Sequence, residues 1–138
     1  MNKVEIESTI KYYVGLVMKN LALECNDQYN RDKIGYKVVN FLSLLKEDSA
    51  LDQYHVVCDE TNNTPLIIDM NQLKVKVYIK YFDSKKDDAV MKNLYFTLKA
   101  SDKKDDDFFK FMIEVTEEEM IQVITTENRK TENLYLRY

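Results

Sequence analysis

Glycine, proline and tryptophan are scarce or absent in this chain, which has two glycines, one proline and no tryptophan among 138 residues. Tight turns, phosphate-binding loops and nucleophile elbows need backbone at positive φ, which glycine adopts at the lowest cost. Gly15 and Gly35 each stand alone inside a helical pattern, so the sequence has no Gly-x-Gly-x-x-Gly, phosphate loop or Gly-x-Ser-x-Gly motif. The sequence therefore argues against functions that rely on glycine-built active sites.

Cysteine and histidine are also rare: the chain has Cys25, Cys58 and a single histidine, His55. Two cysteines cannot form a disulfide framework, and in a reducing compartment we expect both to be small buried hydrophobic residues. His55 lies three positions from Cys58 in a predicted strand, which puts the two side chains on opposite faces and separates a potential dyad. Two cysteines and one histidine also cannot supply the four ligands of a zinc site. We expect no catalytic residue, no metal, no cofactor, and a structural or exposed His55.

Long apolar runs are missing too, since none approaches the roughly 20 residues needed to cross a bilayer. Residues 1–7 carry acids where a secretory signal would have its apolar stretch, which indicates a protein made and kept in a cytoplasm. The net charge of −4 gives no overall attraction to phosphate backbones. We therefore expect no membrane and no nucleic acid as partner. Ten tyrosines and six phenylalanines instead favour a surface that binds proteins.

Two amphipathic helices are predicted in the first third of the chain. Apolar residues recur at steps of three and four from Lys3 to about Glu24, and again from Ile34 to Leu45. Each pattern leaves one apolar stripe that must be buried against another layer.

Alternation of apolar and polar residues then predicts strands. The runs are 54–58, 73–81, 91–100 and 109–115. The predicted fold class is α+β, with two N-terminal amphipathic helices packed on a mostly antiparallel β-sheet. We expect a single domain over residues 1–138, with a core at 3–81 and a β-rich extension at 82–138.

The segment after the last of these strands fits two structures. Thr116 and Glu119 form a capping-box pattern, which slightly favours a short helix through Ile124, whereas residues 123–126 have strand propensity. At the end of the chain, residues 134–138 are predicted to form a short strand.

Charged runs offer few candidate sites. The acid runs at 87–88, 105–107 and 117–119 lack the pattern of a calcium loop, and we interpret them as solvated turns. The lysines at 74, 76 and 80 are expected on a solvated or acid-paired sheet face. Asp59 and Glu60 are the better candidates for a specific role, although carboxylates there also cap backbone amides in a turn.

One stretch resembles a known family. It comprises Asp-Glu-Thr-Asn-Asn-Thr-Pro at residues 59–65, Ile-Asp-Met-Asn at 68–71 and Tyr-Ile-Lys at 78–80. With two amphipathic helices before it, this order is similar to the C-terminal domain of contractile phage tail sheath proteins, over about residues 3–81. The turn is expected to be structural, because its side chains bond their own backbone and proline stiffens it. The residues of this structural loop are Asp59, Thr61, Asn62, Asn63, Thr64, Pro65, Asp69 and Asn71.

The chain also departs from the family pattern. Tyr81 stands where the sheath pattern has proline, and the chain continues for nearly sixty residues after it. Because helix one begins almost at Met1, we expect the long arm that sheath subunits lend to neighbours to be missing. We therefore expect a small sheath-like ring or adaptor at the baseplate or neck of a contractile tail or phage-derived device, and not the main contracting subunit.

The resemblance implies a virion protein assembled in the host cytoplasm, with itself and other tail proteins as partners. Strand exchange between subunits would then use the C-terminal strand, formed by Leu134, Tyr135, Leu136, Arg137 and Tyr138. Two alternatives stay open. One is a soluble enzyme or ligand-binding domain with a site around Asp59 and Glu60, and the other is a regulatory module with one protein partner.

Overall fold

A computed structural model describes residues 2–20, 25–82, 88–100 and 111–123 of the chain. Its elements in chain order are α1 (Lys3–Asn20), α2 (Gln28–Glu47), β1 (Leu51–Val57), α3 (Pro65–Asp69), β2 (Leu73–Tyr81), β3 (Asp88–Ala100) and β4 (Phe111–Val123). Two long helices followed by a four-stranded antiparallel sheet confirm the predicted α+β class.

The four strands form a meander in which each strand pairs with the next along the chain. Their order is β1-β2-β3-β4, and all three pairings are antiparallel. β1 has a register irregularity between Leu51 and Gln53, whereas β3 and β4 pair without interruption along thirteen residues each. The consecutive order keeps most strand contacts local in sequence.

One face of the sheet, called here the inner face, packs against α1 and α2. On β2 and β3 its side chains include Val75, Val77, Leu94 and Phe96, each at most 1% exposed. These side chains share one core with fully buried helix residues such as Ile10. The period-two burial along β2 confirms the alternation expected from the sequence. The opposite, outer face carries the side chains that alternate with these, among them the lysines at 74, 76 and 80 and the exposed His55.

The prediction of a short helix from Thr116 to Ile124 is wrong for the described part of that segment. Residues through Val123 belong to β4, and Thr116 pairs with Tyr95 of β3. The register with β3 is continuous from Phe111 to Val123, and the cross-strand hydrogen bonds of this ladder outweigh a local capping pattern. The β-branched residues near the end of the strand already favoured this outcome.

A short helix, α3, was missed by the sequence analysis, which placed only a turn before β2. Thr64 has extended backbone and caps the helix by accepting a hydrogen bond from the Ile67 amide, and Pro65 occupies the first turn. A threonine followed by proline is a recognised helix start, because proline has no amide to leave unpaired there. That signal was present in the sequence.

No helix among the described residues is long and apolar enough to span a membrane.

The C-terminal end of α2 has a residue in the left-handed region. Ser49 has φ 60°, and the amides of Ser49 and Ala50 close the helix end by donating to the carbonyls of Lys46 and Leu45. This arrangement is usually made with glycine, because a Cβ is strained at positive φ.

We therefore expect Ser49→Gly to raise the free energy of unfolding by about 0.5–1 kcal/mol, measured by urea denaturation. Ser43→Gly is the matched control, since Ser43 lies inside the same helix, where glycine lowers stability. Equal destabilisation by both substitutions would contradict this account of the helix end.

Candidate functional site

The loop after β1 begins with a turn closed by Asp59. The Asp59 carboxylate accepts hydrogen bonds from both the amide and the hydroxyl of Thr61. These two bonds, led by that of the hydroxyl, hold the pKa of Asp59 below its ordinary value. The carboxylate is therefore occupied as a turn cap, and Glu60 beside it points to solvent as an exposed residue.

Asn63 is the centre of the loop and is almost completely buried, at 1% exposed. Its side-chain oxygen accepts from the Lys74 amide at 2.8 Å, and its Nδ2 donates to the Lys74 carbonyl at 2.9 Å. The same Nδ2 also donates to the Asp59 carbonyl at 3.1 Å. The amide thus replaces a strand residue by pairing with both backbone groups of Lys74 at the start of β2.

Asn62 fixes the other side of the loop. Its Nδ2 donates to the Val57 carbonyl at 2.9 Å, at the last residue of β1, and its oxygen accepts from the Asp59 amide at 3.1 Å. Two adjacent asparagines therefore satisfy backbone groups of β1 and β2, which lets the loop close without glycine.

The hydrogen-bond network continues into α2 through two residues that the sequence analysis did not single out. The Nδ2 of Asn26 donates to the Asn63 side-chain oxygen at 3.1 Å and to the Gln72 carbonyl at 2.9 Å. Arg31, which is buried, donates to the backbone and side-chain oxygens of Asn26 at 3.2 and 3.0 Å. Asn26 lies in a polar connection between helices, where no pattern in a single sequence marks it.

The remaining residues of the predicted structural loop have separate positions. Thr64 and Pro65 start α3, and Asn71 follows its end with φ 55°, a conformation that asparagine tolerates better than most residues. Asp69 is the exposed last residue of α3, and no hydrogen bond of its side chain occurs among the described residues. The structure thus brings Asp59, Asn62 and Asn63 together. Asn71 instead lies after α3, where its backbone adopts the left-handed conformation.

We expect Asn63→Ala to lower the free energy of unfolding by on the order of 2 kcal/mol, because the Lys74 amide would lose its side-chain partner and the Lys74 carbonyl would keep only the longer side-chain bond, from Asn62. Asn40→Ala, on the exposed face of α2, is the control and should change stability by less than about 0.5 kcal/mol. Thermal or urea unfolding measures both. If unfolding is unchanged while binding to a partner protein disappears, the loop is a contact surface and its bracing role is wrong.

Cys58 is a poor nucleophile in this position. Burial raises the pKa of its thiol to about 12, a shift that the positive charge of Arg31 partly opposes. Thiolate chemistry at neutral pH is therefore disfavoured here. The buried state agrees with the expectation for Cys58, but Cys25 is exposed, so the expectation of burial is wrong for that cysteine.

The alternative of a ligand or metal site at Asp59 and Glu60 finds no supporting geometry. The Asp59 carboxylate accepts its hydrogen bonds from Thr61 within the turn, and these bonds lower its pKa, as expected for a carboxylate that caps a turn. Within residues 2–20, 25–82, 88–100 and 111–123, no group of three or more metal-ligating side chains is positioned to hold an ion.

A partly buried charge network, centred on the buried Lys92, joins α1 to the sheet at the other end of the inner face. The ammonium group of Lys92 lies 2.7 Å from Glu7 of α1, 3.5 Å from Glu117 and 3.7 Å from Glu119, both on β4. The Tyr81 hydroxyl donates to Glu7, and burial followed by this bond raises the Tyr81 pKa. Burial works against the charge of Lys92, but the nearby carboxylates overcome it and raise the Lys92 pKa.

This network corrects the interpretation of the acid run at 117–119 as a solvated turn. Glu117 and Glu119 lie in the inner-face phase of β4, opposite Leu94 and Lys92. Glu117 also pairs with Lys11 of α1 at 3.0 Å, and this bond, ahead of the charge of Lys92, lowers the Glu117 pKa. A sequence signal existed, because Lys92 has the same phase as the apolar residues at 94, 96 and 98.

We expect Lys92→Met to lower the free energy of unfolding by about 3 kcal/mol, because it leaves the carboxylate of Glu7 partly buried without its cation. Lys80→Met is the control: it removes an outer ion pair with Asp52 at 3.5 Å and should cost less than about 1 kcal/mol. Since the Lys92 pKa is raised, its contribution is complete below the ordinary value of 10.5 and is lost as the pH rises through the folded-state pKa. A wild-type chain that gains stability over that alkaline range, relative to Lys92→Met, would contradict the account.

The outer face uses its lysines in contacts within the sheet. Besides the pair of Lys80 with Asp52, Lys76 lies over the ring of Tyr95 at 5.8 Å, and Lys99 pairs with Glu114 at 2.8 Å. These contacts agree with an acid-paired sheet face.

The predicted C-terminal strand, residues 134–138, lies outside the described residues. The structure does show which strands lie at the edges of the described sheet. β2 and β3 are paired on both sides, while β1 and β4 are the terminal strands of the described sheet. A strand added from elsewhere would therefore pair with β1 or β4.

Comparison with known proteins finds two relatives, both phage tail sheath proteins. The chain is 30% identical over 80 residues to that of Enterobacteria phage T4 and 26% identical over 80 residues to that of Vibrio phage KVP40. The matched stretch is 58% of this chain but only 12% of each sheath protein. No protein-family model matches, and no solved structure matches. This chain is thus similar, in one part, to phage tail sheath proteins.

Proposed function

We propose that the protein is a structural component of a contractile phage tail or a phage-derived injection device. The observation that carries this proposal is the similarity to two tail sheath proteins over more than half of the chain. In this role it is a small sheath-like ring or adaptor protein at the baseplate or neck end of the sheath, and it has no catalytic activity. It is assembled in the host cytoplasm and resides in the virion, where it contacts copies of itself and other tail proteins.

The arrangement of the loop supports a structural role. The polar side chains of the loop, which are its most specific sequence feature, form hydrogen bonds to the backbone of β1, β2 and the loop itself. Bonds of this kind fix the shape of a domain and leave few polar atoms for a substrate. A rigid domain with fixed strand edges is suited to repeated assembly.

The two terminal strands of the described sheet differ as assembly sites. β1 has seven residues and an irregular register near Leu51, while β4 has thirteen residues in regular pairing with β3. A long, regular edge offers a continuous row of backbone donors and acceptors, which is the usual basis of strand addition between proteins. We propose that subunits are joined in this way, with residues 134–138 as the donated strand.

Deletion of residues 133–138 tests this function. We expect the truncated chain to fold, to remain a monomer and to fail to join rings or tails, because the two-helix core and the described sheet do not include these residues. Sedimentation analysis measures self-association, and electron microscopy of purified tails measures incorporation.

A control chain keeps residues 133–138 but has the preceding polar residues 127–132 replaced by a glycine-serine linker of equal length, and it should still assemble. A truncated chain that still assembles, or one that unfolds, contradicts strand donation. A full chain that neither self-associates nor binds tail sheath contradicts the proposed function itself.

A further inference from the structure

The short helix α3 is apolar, but it is not buried. Leu66, Ile67 and Ile68 form its centre and Met70 follows its end, yet α3 contributes no buried residue. Leu66 is 66% exposed and Met70 is 48% exposed. These two side chains lie one turn apart on the same side of the helix, with Asp69 beside them, and the three are called here the α3 surface. Contiguous apolar side chains that stay exposed are typical of a contact with another protein.

The α3 surface is held in one orientation by the hydrogen bonds around it. Thr64 caps the first turn of the helix, and the Gln72 carbonyl just after the helix accepts from Asn26. Asn63, immediately before the cap, is bonded to both backbone groups of Lys74. A partner that binds a surface fixed in this way loses little free energy in ordering it.

The solvent side of α2 carries a second exposed apolar surface. Tyr36 is 69% exposed and Leu44 is 57% exposed. Steps of three and four residues place both on one side of the helix with Lys33, Lys37 and Asn40, and these five residues are called here the α2 stripe. Neither lysine forms a salt bridge within the part of the chain that the structure describes.

The two surfaces lie in segments of opposite charge. Residues 59–72, which connect β1 to β2 and include α3, contain three carboxylates and no basic residue. Residues 33–46 of α2 contain three lysines and no acidic residue. Because both surfaces are exposed in the folded chain, they meet only when two copies come together. Opposite charges beside two apolar surfaces favour contact between these surfaces and disfavour contact of either surface with itself.

We propose that the α3 surface of one copy binds the α2 stripe of a second copy. The apolar pair of α3 packs against Tyr36 and Leu44, and Asp69 pairs with Lys37. Different surfaces of the two copies meet, so the contact repeats from copy to copy and closes into a ring where the rotation between copies allows it. This inference rests on the proposed self-association. The contact is small and orients the neighbouring copy, in addition to the backbone pairing of strand addition.

The double substitution Leu66→Ser with Met70→Ser tests the apolar part of the contact. Both side chains are exposed, so the melting temperature of the full chain should stay within about 2 °C of the wild-type value. Self-association in sedimentation equilibrium should weaken by about tenfold or more, because the apolar contact with the second copy is lost. Val4→Ser is the matched control: Val4 is 73% exposed on α1, outside both surfaces, and its substitution should change neither quantity.

Unchanged self-association of the doubly substituted chain overturns the proposal. A large fall in its melting temperature overturns it as well, because Leu66 and Met70 would then be needed by the isolated fold. If the substituted chain self-associates normally but no longer enters tails, the α3 surface binds another tail protein and the proposal is wrong. A wild-type chain that does not self-associate also overturns it, whereas the proposed function stands if that chain binds tail sheath.

A charge exchange tests which surfaces meet. Asp69→Lys alone and Lys37→Glu alone should each weaken self-association, because each places like charges opposite one another between copies. The chain that carries both substitutions should regain self-association, since the exchanged charges again attract. If the doubly exchanged chain associates no better than the single variants, the α3 surface and the α2 stripe do not meet, and the proposal fails.

Discussion

The pairing of the Asn63 side chain with the Lys74 backbone joins the loop after β1 to the start of β2 and, through Asn26, to the connection before α2. Both backbone groups of Lys74 at the start of β2 are bonded to one side-chain amide, which is itself held by Asn26 from the connection before α2. The loop, the second helix and the first residues of β2 are therefore fixed together by a single buried group. An amide suits this place because it carries a donor and an acceptor side by side.

The scarcity of glycine explains why side chains perform this work. Among the described residues the only positions with positive φ are Ser49 and Asn71, which follow the ends of α2 and α3. Elsewhere in that part of the chain, turns are made with residues in ordinary conformations, and their free backbone groups need side-chain partners. Asp59, Asn62 and Asn63 supply them. The loop therefore depends on several hydrogen bonds that share the same side chains, and together these bonds hold the loop in one conformation.

The limits of the sequence-based predictions follow from the range of the interactions involved. The helices and β2 were predicted because their patterns are local: a period of three to four or of two shows in any short window. β4 was misjudged at Thr116 because its strand state depends on pairing with β3, which a window around Thr116 does not contain. The partnership of Asn26 with Asn63 spans 37 positions of sequence, and no local signal announces it. The inner-face position of Lys92 could be predicted, because Lys92 alternates in step with the apolar residues of β3. Its partner Glu7 could not be predicted, because Glu7 lies on another element.

The two faces of the sheet differ in how their buried polar groups are compensated. On the inner face, the buried Lys92 is surrounded by three carboxylates, and the Tyr81 hydroxyl donates to one of them, so the buried positive charge is compensated there. On the outer face, Asn93 is equally buried but has no hydrogen bond among the described residues. A buried charge with counter-charges beside it is stable in the folded chain, whereas a buried amide without a hydrogen bond lowers the stability of the fold. Among the described residues, the buried charge is therefore compensated on the face that holds the helices, while the buried amide of Asn93 on the outer face has no hydrogen bond.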